Sequence, residues 1–342
     1  MKNVKLKDIA ETTGVSVSTV SRILSGDKSR KMKEETIKEV LKVAGDLGYY
    51  SDKKKKLRNA IGKLNIATLF VSDHESILSP FFSEIIEGIK NEIDLLSEYM
   101  NISFEILSLG TSAFDRRLEE KTLDAVIILG RTKESVIEWI KGSVPNLIYS
   151  GPNSIGGMDE VTCDAREGIK DGVRFLFSKG ARNIAYIGPT YLQNEILNEH
   201  RYMGYVEALA DLNLVQDENL VENVFLKIDD GFEGARRLLE RAKPDAIVAA
   251  NDNVALGVLR YLEETGRKVP DDISVIGFDN IEVSAFSHPT LTTFDVPKRE
   301  LGRFALKFLI DRIENPRERN IRISVPYQLI ERESTKKEVK EL

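Results

Sequence analysis

The stretch "GVSVSTVSRIL", residues 14 to 24, admits two readings, and the choice between them decides the fold of the N-terminal region. Its first residues alternate apolar and polar, as a half-buried strand does. Thr19 and Val20 break that phase, whereas Val20, Ile23 and Leu24 recur at helical spacing. The spacing therefore predicts a helix of about ten residues. Gly14 supplies the turn before it, Ser16 stands where a side-chain oxygen can accept from a first-turn N–H, and Gly26 lies just past its end.

Leu6, Ile9 and Ala10 form an apolar face ahead of this helix, and "ETTGVS" leaves only a tight turn between the two segments. That is helix-turn-helix geometry. A third amphipathic stretch, "KEETIKEVLKVAGDLGY", places Ile37, Val40, Leu41 and Ala44 on one face to close a three-helix core. The second helix then presents Val17, Ser18, Ser21 and Arg22 outward. Arginine can grip guanine with two hydrogen bonds, a valine methyl can touch thymine, and hydroxyls at a helix N-terminus suit phosphates. Val17 stands in the first turn, where it serves either the core or a base.

Charge supports the same reading. The chain of 342 residues carries a formal net charge of -6, yet residues 1 to 63 hold 16 Lys/Arg against 8 Asp/Glu, a net of +8 that leaves -14 for the remainder. A small basic head on a large acidic body is the electrostatic footprint of a nucleic-acid-binding module joined to something else. Cys163 is the only cysteine, so no disulfide framework or cysteine-rich metal site is expected. "MKNVKLKDIAET" has no apolar signal core and no later run reaches the roughly 18 apolar residues of a membrane span, which predicts a cytoplasmic protein without a membrane partner. Glutamine occurs only three times among abundant Lys and Glu, a bias of proteins that work hot.

Between head and body lies "YYSDKKKKLRNAIGKL", residues 49 to 64, with four successive lysines followed by Leu57. Taken alone it reads as a charged tether or as a segment that orders on DNA. From Leu64 onward, short apolar runs alternate with helical stretches: "LNIATLFV", "ISFEILS", "DAVIIL", "NLIYS", then "NIAYIG", "DAIVAA" and "ISVIGF". Such alternation implies parallel sheets covered on both faces. Four runs and three, split near "EVTCDAREG", suggest two lobes with a ligand cleft where strand ends face each other.

In "LKDIAETTGVSVSTVSRILSG" and "EETIKEVLKVAGDLGYY" the chain resembles the LacI/GalR family of bacterial transcription regulators, and the resemblance continues through "NDNVALGVLRYLEETGRKVPDDISVIGFDN" and "HPTLTTFDVPKRELGRFALKFL". It implies an all-α helix-turn-helix head on an α/β two-lobed body like that of periplasmic sugar-binding proteins, with three crossovers between lobes. The implied boundaries are a head over 1–50, a hinge over 51–63 and a body over 64–338, with lobe 1 at 64–163 and 295–325 and lobe 2 at 164–294 and 326–338. By resemblance Val17, Ser18 and Arg22 read bases, while Ser16, Thr19 and Ser21 touch the DNA backbone. Lys55 and Lys56 would meet phosphates, and Leu57 resembles the leucine that wedges between base steps in the minor groove.

For the cleft, the positions matching the family's ligand contacts are Arg201 in "HRYMGY", Asn251 in "ANDN" and Asp279 in "GFDN", with Asp73 and Phe81 as candidate further contacts, Phe81 and Phe82 reading equally as core. A guanidinium fork and amide or carboxylate oxygens can hold neighbouring sugar hydroxyls in pairs. The chain also departs from the family. Lys5 stands for the usual capping Thr, Ser25 for Asn, and Ser150 for an Asp common in sugar-binding members. The hinge lacks its Pro-Asn, and Leu226 lies near the place of a stacking tryptophan. The only tryptophan, Trp139, falls on a helical stretch and reads as packing.

The expected protein is thus a DNA-binding regulator, acting as a homodimer on an operator and either released by a small sugar or, alternatively, corepressed or answering to a protein partner. Hinge spacing and "MKEET" look closest to members that govern β-galactosidase systems, which implies a galactoside. No cofactor is expected. An enzyme finds little support, since His74, His200 and His288 lack metal-ligand spacing and no nucleophile or phosphate-loop motif occurs. A periplasmic sugar carrier would explain the body and not the basic head.

Overall fold

The computed structural model describes residues 5–25, 32–47, 63–71, 79–97, 100–131, 133–190 and 199–337. Gly26, Lys55, Lys56, Leu57 and Asp73, singled out above, lie outside the described residues. The chain divides into two compact units, Met1–Leu64 with Asp94–Ser103, and Asn65–Ile93 with Phe104–Leu342.

The first unit opens with three helices, α1 (Leu6–Thr13), α2 (Val17–Ser25) and α3 (Glu34–Asp46). The Lys5 N–H ahead of α1 donates to Asp8 Oδ2 at 2.6 Å, so Asp8 satisfies one of the donors that a helix start leaves open. Gly14 ends α1 at φ 67°, in the left-handed region where a side chain strains the backbone. Ile9, Val20, Val40 and Ala44 are fully buried, joined by Ala10 and Ile23, while Ile37 packs on this core partly buried. The helical reading of residues 14–24 is the observed one.

The body carries β1 (Lys63–Phe70), α4 (Pro80–Leu96), β2 (Asn101–Ser108), α5 (Ser112–Glu119), β3 (Ala125–Leu129), α6 (Glu134–Lys141), β4 (Asn146–Gly151) and β5 (Asp159–Thr162). Then follow α7 (Ala165–Ser178), β6 (Ile184–Ile187), α8 (His200–Asp211), β7 (Val221–Glu222), α9 (Ile228–Arg241), β8 (Ala246–Ala249), α10 (Asp252–Glu264) and β9 (Ser274–Ile276). The last elements are β10 (Thr293–Asp295), α11 (Lys298–Glu314), β11 (Arg322–Ser324) and β12 (Gln328–Ile330).

Two sheets result. One runs β11-β5-β4-β3-β1-β2, the other β7-β6-β8-β9, and β10 pairs with β12. The pairs β1/β3, β3/β4, β4/β5 and β5/β11 are parallel, as are β6/β7, β6/β8 and β8/β9, and β10/β12 is antiparallel. Every residue of β3 and of β8 is buried, because helices cover both faces of a parallel sheet. The chain passes between the two sheets after β5, between β10 and α11, and between β11 and β12, which gives the two-lobed architecture with three crossovers.

Strand β5 runs from Asp159 into "EVTCDAREG", which reads from sequence as the point where the lobes part. Its first two residues are the buried carboxylates Asp159 and Glu160. Arg312 and Arg317 donate to Asp159 at 3.1 and 2.5 Å, and Arg322, Ser154 and the Ile155 N–H donate to Glu160 at 2.8, 2.7 and 2.7 Å. Acidic residues hide a strand from hydrophobic periodicity, and these partners offset the cost of burying them.

Candidate functional site

Helix α2 begins at Ser16. The Ser16 Oγ accepts the Thr19 N–H at 3.1 Å and lies 2.8 Å from the hydroxyls of both Ser18 and Thr19. This cap fixes where α2 starts and hence which residues face outward. Val20 and Ile23 turn into the core, whereas Val17 is 45 % exposed and Ser18 and Ser21 are exposed. Thr19 and Arg22 are half-buried. The outward face therefore offers hydroxyls, one valine methyl surface and one guanidinium beside the helix N-terminus, a chemistry suited to a DNA major groove.

In the body, the residues expected to bind a ligand lie at the C-terminal ends of strands or at the helix starts that follow them. Ser150, the penultimate residue of β4, has none of its surface exposed, and its Oγ has no hydrogen-bond partner among the described residues. Arg201 stands in the first turn of α8, 5 % exposed, with its Nε unpartnered among the described residues. It is not the surface ion pair that a lone arginine usually makes. Asn251 caps α10, its Oδ1 accepting the Val254 N–H at 3.0 Å. Asp279, after β9, is 4 % exposed and has φ 121°, a conformation that costs a residue with a side chain and tends to mark functional sites.

The surroundings hold Asp279 in place. Lys298, itself buried at the start of α11, donates its Nζ to the carbonyls of Asp279, Asn280 and Val296 at 2.6, 3.3 and 3.3 Å. Neighbouring Asp252 is fully buried and accepts from the Ile281 N–H at 2.9 Å and the Thr293 hydroxyl at 2.5 Å. Burial pushes its carboxyl up to about 6 in spite of these donors. Cys163, on the first crossover, has its thiol pushed far up by burial and then by the Asp279 carboxylate, with Arg201 opposing. Phe81 sits at the start of α4, buried edge-to-face against Phe82 with ring centres 5.1 Å apart. Trp139 is 49 % exposed and rests edge-on against Phe114 at 5.8 Å.

Three residues at these strand ends escape a reading of the sequence. Asn153, just past β4, is 1 % exposed, and neither heteroatom of its carboxamide has a partner among the described residues. Arg131 follows β3 and is hydrogen-bonded to Glu199, which caps α8. The only signal in the sequence is position, a charged residue one glycine beyond the apolar run "AVIIL" and another directly before "HRYMGY".

Residues 5–52 match the model of bacterial regulatory proteins of the lacI family, and residues 173–335 that of a periplasmic binding protein-like domain. Catabolite control protein A of Priestia megaterium is 31 % identical over 98 % of this chain and 100 % of its own. The chain belongs to the lacI family of bacterial regulatory proteins. It is a DNA-binding transcription regulator and not an enzyme. Two solved structures share the lacI-family architecture over nearly the full length. A transcriptional regulator CelR–cellobiose complex superposes with TM-score 0.69 at 25 % identity, covering 97 % of this chain and 99 % of that one. The lac repressor dimer bound to operator and the anti-inducer ONPF superposes with TM-score 0.68 at 23 % identity, covering 98 % and 99 %. Among the described residues no helix is long and apolar enough to cross a membrane.

Proposed function

We propose that this lacI-family regulator is a repressor of a carbohydrate-utilisation operon, released from its operator by a small sugar bound where the two sheets' C-terminal ends meet. The observation that carries the reading is the set of buried polar side chains there, Ser150, Arg201, Asn251 and Asp279, with Ser150 Oγ and Arg201 Nε lacking a partner among the described residues. Buried groups of that kind cost free energy unless something supplies hydrogen bonds, and vicinal hydroxyls donate and accept at once. Asp73 and Phe81 complete the proposed contacts, and a galactoside is the sugar class to try first. The sugar in the CelR complex supports the general class.

In the same proposal Val17, Ser18 and Arg22 read bases, and Ser16, Thr19 and Ser21 together with Lys55 and Lys56 hold the backbone. Leu57 bends the minor groove from a hinge over 51–63, between a head over 1–50 and a body over 64–338. Lobe 1 comprises 64–163 and 295–325, and lobe 2 comprises 164–294 and 326–338. The protein works in the cytoplasm as a homodimer, its two heads matching a pseudo-palindromic operator. Exposed Ile228, Val283 and Phe286, 42, 48 and 78 % accessible, supply apolar surface for that association.

The test begins with sheared genomic DNA of the source organism, recovered on the purified protein and sequenced. Enrichment of a few pseudo-palindromic sites is expected, after which galactose, lactose and cellobiose are screened for release of the recovered site. Arg201→Ala should abolish release while leaving operator affinity within about twofold, since coupling between sites is about 1 to 3 kcal/mol and vanishes with the ligand. Recovery of no specific site, or equal release from wild type and Arg201→Ala, overturns the proposal. Leu57→Ala should weaken the specific site more than random DNA, and equal losses would make the hinge a plain tether.

A further inference from the structure

Arg131 and Glu199 come from different lobes. Arg131 follows β3 of the first sheet, and Glu199 precedes α8, which packs beside α7 over the second. The Arg131 guanidinium donates to Glu199 Oε2, with the two side chains 13 and 1 % exposed. The other carboxylate oxygen accepts the Arg201 N–H at 3.3 Å. One buried carboxylate thus ties the end of a first-lobe strand to the helix start that carries Arg201. His200, next along, has its pKa held down by burial first and then by the Arg131 and Arg166 charges, so Arg131 reaches the second lobe at two neighbouring residues.

An ion pair buried to this degree is costly to break on one side only, because the partner is left charged and desolvated. Opening the lobes separates it. We propose that Arg131 and Glu199 form an interlobe latch, which holds the two sheets' ends together and positions Arg201 before any effector arrives. The latch stands on this contact alone. Its consequence for regulation rests on the effector site proposed above: a pre-closed lobe pair fixes the fraction of molecules competent to grip a ligand, and apparent affinity scales with that fraction.

Cys163 gives a direct readout. It is the only cysteine in the chain, 1 % exposed, on the first crossover, and its thiol feels both Asp279 and Arg201. Reaction with a maleimide therefore requires the lobes to part, and its rate, followed by intact mass on the full-length protein at fixed pH, reports the open fraction. Glu199→Gln keeps an oxygen to cap α8 and removes the charge, while Arg131→Gln does not touch α8. Each is expected to speed labelling about tenfold or more. The double variant is expected to be no faster than the faster single, since both remove one interaction.

Wild-type rates in both singles, or a double variant whose acceleration is the product of the two, would overturn the latch. If the neutral variants melt so early that they label through unfolding, Arg131→Lys retains the charge and loses the fork, and a rate above wild type at unchanged melting temperature is required. The same assay with galactose, lactose, cellobiose and ribose separates the two claims. If the variants accelerate labelling and no sugar slows it in wild type, the latch stands and the sugar assignment falls.

Discussion

The helical reading of residues 14–24 makes unequal predictions for two valines three positions apart. Val20 has none of its surface exposed and lies among Ile9, Ala10, Ile23, Val40 and Ala44, whereas Val17 is 45 % exposed. Val20→Ala deletes two buried methyl groups, a transfer loss of about 1.6 kcal/mol at ~0.8 per carbon. The void left behind adds to this, for a total of about 2 to 3 kcal/mol. Val17→Ala removes atoms already in contact with water and should cost less than about 0.5 kcal/mol. A head this small has only about 3 to 5 kcal/mol in hand, so the first change removes around half of it. Hydrogen exchange read by mass spectrometry on the full chain resolves the head from the body. Amide protection in α1, α2 and α3 should fall about thirtyfold or more in Val20→Ala and by less than about threefold in Val17→Ala, at a tenfold change per 1.4 kcal/mol. Operator binding adds a second contrast: Val17→Ala should relax discrimination at one base pair, and Val20→Ala should weaken all DNA alike. Equal loss of protection in the two variants would refute the helical phase, since a strand would place Val15 and Val17 on one face.

The Asp252 carboxyl is raised to about 6 in the folded protein, so the fold binds its proton more tightly than the unfolded chain does. The stability this group lends is therefore greatest in acid and is lost as pH rises from about 4 to about 6. Asp252→Asn should flatten that part of a urea-denaturation pH profile, and an unchanged slope would assign it elsewhere. Gly14→Ala should cost about 1 kcal/mol of head stability through its left-handed backbone, although an added Cβ meets open space, and Gly14→Asn should cost less. A gain in stability from the alanine would show that the turn relaxes. On α7 and α8, Arg166, Lys170 and Arg174 form a connected network with Glu167, Glu207 and Asp211. Networks of this kind matter most at high temperature, so calorimetry should find the body melting above the roughly 45 to 65 °C of mesophile domains, and a transition inside that range would contradict the compositional reading.

The parts of the fold that periodicity exposes are those where one rule acts alone. Val20, Ile23 and Leu24 announce a helix face, and the uninterrupted "AVIIL" announces a parallel strand covered on both sides. Strand β5 stayed hidden because its "DE" start owes its burial to Arg312, Arg317 and Arg322, about 150 residues away along the chain and beyond any local pattern. β7, β10, β11 and β12 have two or three residues each, too short for a period to show. In the site, Arg201, Asn251 and Asp279 stand in motifs that family resemblance picks out. Asn153, Arg131 and Glu199 belong to no motif, and the pairing of Arg131 with Glu199 joins residues 68 positions apart, beyond any local pattern.

Backbone conformation adds a step that neither motif nor periodicity supplies. Asp164, Asp279 and Asn280 have φ of 58, 121 and 50°, values that L residues with side chains adopt at a cost. Asp164 caps α7 immediately beyond the first crossover, accepting the Glu167 N–H at 3.2 Å. Asp279 and Asn280 are bound through their carbonyls to Lys298, the first residue beyond the second crossover. The strained positions are therefore wired to the segments that must bend when the lobes move. A ligand that engages the Asp279 side chain acts on a residue whose own backbone is tied to a crossover, so binding there and lobe geometry are energetically one event and need no further relay between them.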